Sequence, residues 1–151
     1  MKKIATLILF AGMLASCHIV TPEEPAKEDT QSYEAVGLLA VPSSGFTKED
    51  VRTKIVLTDD ETLDIYMYEV KFATLMPVTI DMRISGVPYS KTGDHIYFYG
   101  DSIVPTAGNK PYEKYIVRDL EGTVTADSML ISNLYGETPS VYAGAIVAAP
   151  K

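Results

Sequence analysis

The sequence predicts an all-β domain, an eight-stranded antiparallel up-and-down barrel, on three observations. Apolar and polar residues alternate with period two through the middle of the chain. Turn-forming residues recur at short intervals, and after the first residues no long stretch shows the 3.6-residue period of a helix.

Alternation is clearest where Leu63, Ile65 and Met67 oppose Asp64, Tyr66 and Tyr68. Successive side chains of a strand point to opposite faces, so each set shares one side. Ile80, Met82 and Ile84 likewise oppose Asp81 and Arg83, and Ile96 and Phe98 oppose Tyr97 and Tyr99. Taken in order, strands are expected over 33–41, 51–58, 62–70, 78–84, 95–103, 114–125, 128–135 and 140–148. Asp59-Asp60-Glu61 and Lys91-Thr92-Gly93-Asp94 suit tight hairpins, and Gly136-Glu137-Thr138-Pro139 suits the last one. Gly108-Asn109-Lys110-Pro111 falls in a longer connection, while Thr47 to Asp50 has capping-box spacing and predicts one helical turn. Short strands with short links favour a meander that closes on itself, because closure removes the edges that recruit other chains. The competing architecture is a two-sheet sandwich without the Cys and Trp landmarks of immunoglobulin domains.

The start of the chain carries a different signal. Lys2 and Lys3 precede an apolar run of eleven residues from Ile4 to Leu14, then Ala15 and Ser16 lead to Cys17. These are the parts of an export signal, and the run falls short of the roughly 20 residues a spanning helix needs. The segment Leu14-Ala15-Ser16-Cys17 resembles the lipobox of bacterial lipoproteins. That resemblance implies a diacylglyceryl group on the Cys17 sulfur, cleavage before Cys17, and anchoring in the bacterial envelope at the outer membrane. Its alternative is an ordinary secretory signal. Several acyl chains hold a protein stably where one does not.

The expected organisation is a signal peptide over 1–16, a lipidated cysteine with a flexible acidic tether over 17–32, and a barrel domain over 33–151. Pro22, Pro25 and four carboxylates keep the tether extended and solvated, at about 20 Å root-mean-square for fifteen residues. Its acidic residues also resemble surface-export signals of some lipoproteins, beside the plainer reading of a soluble linker. Cys17 is the only cysteine, so no intramolecular disulfide can form and stability rests on core burial. Without residues 1–16 the chain carries 11 basic against 20 acidic residues, a net charge of −9. That balance disfavours nucleic acid and anionic lipid surfaces as partners.

The stretches LDIYMYEVKFATLMPVTIDMRISGVP and LEGTVTADSMLISNLYG are similar to the calycin-like domain of small bacterial lipoproteins. The marks of the likeness are Met76-Pro77, a Gly86-Val87-Pro88 corner, and Leu120 to Val124 as Leu-x-Gly-Thr-Val. It covers about two thirds of the chain, from Val51 to Val147. The resemblance implies a lipocalin-like eight-stranded barrel on a lipid anchor. It implies no particular ligand, and the chain has no tryptophan for the Gly-x-Trp of lipocalins.

Chemistry-bearing patterns are missing. His18 and His95 are the only histidines, so the convergent ligands of a zinc site and a base for a serine or cysteine nucleophile are not assembled. Asp59-Asp60-Glu61 reads as a solvated hairpin tip and lacks the alternating ligands of a calcium loop. No cofactor and no enzymatic activity are expected. Two binding surfaces remain. Leu63, Ile65, Met67, Ile80, Met82, Ile84 and Phe98 would line the barrel, which at eight strands is either filled or holds one small ligand, and capture of an apolar or amphipathic molecule there is the function expected first. Tyr66, Tyr68, Tyr97 and Tyr99 would form an outer patch for an envelope protein or a glycan, or else pack as ordinary cross-strand pairs.

Overall fold

The computed structural model describes residues 31–150. Cys17, the expected signal peptide and the expected tether up to Thr30 lie outside the described residues. The domain is all-β, with ten strands: β1 (Ser32–Val41), β2 (Phe46–Leu57), β3 (Thr62–Val70), β4 (Ile80–Thr92), β5 (His95–Gly100), β6 (Thr106–Ala107), β7 (Lys110–Pro111), β8 (Val117–Val124), β9 (Ser128–Tyr135) and β10 (Thr138–Ala148). Eight of them close an antiparallel up-and-down barrel in the order β1, β2, β3, β4, β5, β8, β9, β10, with β10 pairing back onto β1. The closed ladder rules out the two-sheet sandwich. β6 and β7 form a small hairpin attached to β4 through Met82 and Arg83.

Local chemistry explains the turns. Gly93-Asp94 and Gly136-Glu137 are two-residue loops with glycine first, at φ of 63° and 66°. Two-residue hairpins favour positive φ at that position because the turn then matches the twist of the strands. Ala126-Asp127 makes the third, where the Thr125 hydroxyl donates to Asp127 Oδ1 at 3.1 Å.

Three expectations about local structure change. The capping-box stretch from Thr47 to Asp50 is strand, not a helical turn. Its backbone pairs with β1 across a bulge where Asp50 adopts φ of 56°. The inter-strand ladder outweighs a local cap. Gly86-Val87-Pro88 is not a corner but a bulged point within β4, which therefore runs well past Ile84. The strand expected from 114 starts at Val117, after a 3-10 turn over Glu113–Tyr115.

The core sits along the barrel axis, built from the inward positions of all eight barrel strands. Leu39, Ile55, Leu63, Ile65, Ile84 and Ile96 are wholly buried there. Glycine is required at three inward positions, and at Gly37 a Cβ would overlap the β10 backbone at Ala143 and Gly144. A Cβ on Gly122 would enter the Phe98 ring, and one on Gly144 would strike the Tyr142 ring. The two aromatic side chains thus use the space that Gly122 and Gly144 leave. Phe72, its ring tilted against those of Tyr135 and Tyr115 at centroid distances of 4.6 Å and 5.5 Å, extends the packed core.

Candidate functional site

Six of the seven residues expected to line the barrel are buried in its core. Leu63, Ile65 and Ile84 expose 0 % of their surface, and Met67, Met82 and Phe98 no more than 2 %. Ile80, opposite Val70 where the ladder shifts register, is only partly buried and packs against the core from its rim. A void large enough for water would leave surface open to it, and Leu63, Ile65 and Ile84 have none. The axis is filled by side chains. Polar groups enter it sparingly. The Tyr142 hydroxyl donates to the Val51 carbonyl at 3.0 Å, and the Tyr135 hydroxyl donates to Met67 Sδ at 3.5 Å. Burial pushes both phenols above the ordinary tyrosine range.

The four outer tyrosines do point outward, but the structure divides them. Tyr66 and Tyr68 border a small depression of about 190 Å³ beside the β6–β7 hairpin. The Arg83 guanidinium lies 5.4 Å from the Tyr66 ring centroid and that of Arg52 4.6 Å from the Tyr68 ring. Each arginine is itself held, Arg83 by Asp64 at 2.7 Å and Arg52 by Glu34 at 3.5 Å. This wall is already occupied by its own side chains.

Tyr97 and Tyr99 stand in a different setting. They are 46 % and 68 % exposed and form one ridge of an open trench of about 540 Å³. Strand register builds the trench in two rows. Tyr97 faces Thr123, which faces Leu130; Tyr99 faces Glu121, which faces Ser132, which faces Val141. The short side chains of Thr123 and Ser132 form the low ground between the tyrosines and the aliphatic ridge of Leu130 and Val141. Those two aliphatic residues are 48 % and 41 % exposed. Gly122 completes the floor with the Phe98 ring beneath it. His95 Nδ1 lies 3.4 Å from the Tyr97 hydroxyl, at the far end of β5.

Leu130 and Val141 were not among the residues singled out from the sequence, although a signal was present. Met129 and Ile131 point inward, so Leu130 must point outward, and an apolar residue on the wet face of a strand is the informative exception. Among the described residues no three His, Cys, Asp or Glu side chains come together to hold a metal ion.

These features define a closed eight-stranded meander barrel with a packed axis and one bare apolar trench on its wall. Comparison with known proteins found no matching family model, no matching curated protein and no matching solved structure.

Proposed function

We propose that the chain is a non-enzymatic lipoprotein of the bacterial envelope, anchored through Cys17, whose barrel acts as a binding module through its outer wall. The observation that supports this reading is the contrast between the filled axis and the exposed Tyr97, Tyr99, Leu130 and Val141 around one trench. Isolated exposed apolar residues are ordinary, but a contiguous set with tyrosines is the composition of contact surfaces. The calycin-like resemblance and the lipobox supply the anchor and the envelope setting.

A photo-cross-linking residue at Thr123 in the full chain, expressed in its own cells, is expected to give a discrete adduct. The same residue at Lys54, on another part of the wall, is expected to give none. Equal labelling at both positions, or no adduct at Thr123, overturns the outer-wall reading.

A ligand inside the barrel has one observation in its favour. Thr53 Oγ1 and Asn133 Nδ2 are buried with no partner in good hydrogen-bond geometry, although Thr53 lies close enough to Tyr142 and Asn133 to Tyr135 for each to offset part of the rise that burial causes in the phenol pKa. A buried polar group left unpaired costs about 1–3 kcal/mol, which a guest bearing a polar atom would recover. Such a guest would have to part Met67 and Met82, the adaptable side chains of the core. Native mass spectrometry of the protein drawn from its membrane tests this. A stoichiometric adduct that Thr53→Val abolishes would establish it, and a ligand-free mass would dismiss it.

A further inference from the structure

The trench does not end at Tyr99. Tyr99 and Glu121 line both it and a second open depression of about 660 Å³, so the two are continuous across these residues. The second depression lies where the barrel wall is incompletely sewn. β4 and β5 pair only from Tyr89 opposite Phe98 to Thr92 opposite His95. Beyond Tyr89, Pro88 has no N–H to give, and β4 passes on through Gly86 toward its pairing with β6. Ile84, Val87 and Pro88 pair on their β3 side across a bulge at residues 85 and 86, and the β5 side of this run has no ladder. Ile103 and Leu120 floor this seam. Pro88 has no N–H and the Gly86 N–H is taken by Asp64 at 3.0 Å, so this edge is blunted against strand addition, and an extended chain would lie along the seam mainly by its side chains.

Charge selects what kind of chain fits. Asp101, Asp119 and Glu121 border the seam, and no Lys, Arg or His lines either depression. The Asp101 carboxylate is tied in place by the Asp119 backbone N–H at 3.0 Å and the Ser102 hydroxyl at 3.2 Å. Arg118 is near enough to act on Asp101 but lines neither depression. The surface is therefore apolar at Leu130 and Val141, aromatic at Tyr97 and Tyr99, and anionic at its seam end.

We propose that trench and seam together dock an extended segment of a partner protein that carries apolar residues followed by basic ones. Its apolar residues lie against Leu130 and Val141, its backbone runs past Tyr99, and its cations meet Asp119 and Glu121. The proposal rests on the outer-wall reading above and adds the sign and shape of the occupant. A small apolar molecule would need only the trench. The open seam beside it and the anionic rim favour a longer, cationic chain.

The test is titration calorimetry of the full chain in non-ionic detergent with three capped hexapeptides. One has three valines followed by three lysines, one has three valines followed by three glutamates, and one has three serines followed by three lysines. The valine-lysine peptide is expected to bind at least tenfold more tightly than either of the others, and to weaken in high salt. Asp119→Asn with Glu121→Gln is expected to erase the preference for lysine over glutamate. Asn tolerates the positive φ of 48° at position 119, and neither side chain holds the fold together. Leu130→Ser is expected to weaken the valine-lysine peptide at least fivefold. If both valine peptides bind equally and Leu130→Ser weakens both, the wall binds but the cationic partner is wrong. If the serine-lysine peptide binds as well as the valine-lysine one, the site is merely anionic and the proposal falls. If no peptide binds while the Thr123 cross-link forms, the extended-segment reading alone is overturned. If neither binds nor cross-links, the outer-wall reading falls with it.

Discussion

β3 and β5 carry the same short pattern, a tyrosine on each side of an inward residue, yet the two tyrosine pairs live differently. Tyr66 lies in register with Lys54 and Arg83, and Tyr68 lies near Arg52; the guanidiniums cover their rings. Tyr97 lies between Ser90 and Thr123, and Tyr99 beside Glu121, none of which can cover a ring in the same way. The first pair is half-buried under its neighbours and the second is bare. Alternation decides which face an aromatic occupies. The residues across the ladder decide whether that face is finished or left available, because cross-strand neighbours are the unit of sheet packing.

The most forceful way to break this contrast is Arg83→Ser, which uncovers Tyr66 and strips Asp64 of its cation. Asp64 is 8 % exposed, so its carboxylate would keep only the Gly86 N–H at 3.0 Å. Removing one partner of a buried pair costs several kcal/mol. With Arg83 half exposed we expect about 2–3 kcal/mol in urea unfolding. A loss under about 0.5 kcal/mol would mean the β3 wall is not fastened by this pair. Next in size, Tyr66→Ser or Tyr68→Ser should each cost about 1 kcal/mol through lost ring contact and cation–π attraction. Tyr97→Ser and Tyr99→Ser should each stay within about 0.5 kcal/mol, the range for exposed positions. Equal costs at the two pairs would erase the distinction between a finished wall and an open one.

The barrel was legible in the sequence because its signals are local or periodic. Leu63, Ile65 and Met67 announce an inward face, and Gly93 and Gly136 announce hairpins. The trench was only half legible. Its tyrosines stand out by alternation, but their separation from Tyr66 and Tyr68 depends on register across β4. That strand changes partner at Pro88, and the Gly86 bulge that accompanies the change looked like a corner. Leu130 and Val141 come from strands distant in sequence from Tyr97. Only the pairing of β5 with β8, β8 with β9 and β9 with β10 brings them to its side. The acidic seam was hidden for the same reason, since Asp101 and Asp119 meet through a hydrogen bond spanning eighteen residues.

That hydrogen bond belongs to a recurring device, and it gives the smallest of the expected effects. In three places a residue at positive φ donates its backbone N–H to an aspartate of the neighbouring strand or of the link beyond it. Glu69, at φ of 50°, donates to Asp81 at 2.8 Å; Gly86, at 72°, to Asp64; and Asp119, at 48°, to Asp101. The first two serve the finished wall, and the third holds the rim of the open seam. The backbone N–H of Asp119 is the main cause holding the Asp101 carboxyl below its ordinary 3.8, with Ser102 and Arg118 assisting. A depressed carboxylate pKa contributes stability that is present above the unfolded value and lost as pH falls through the folded one. Asp101→Asn keeps an oxygen to accept the same N–H but removes the charge. Thermal midpoints of the two proteins should therefore differ slightly near neutral pH. The gap should begin to close as pH drops below 3.8 and should vanish once Asp101 is protonated. A gap that stays constant into strong acid would show that the seam's bulge is held by shape alone. The carboxylate would then be free to serve a bound cation without cost to the fold.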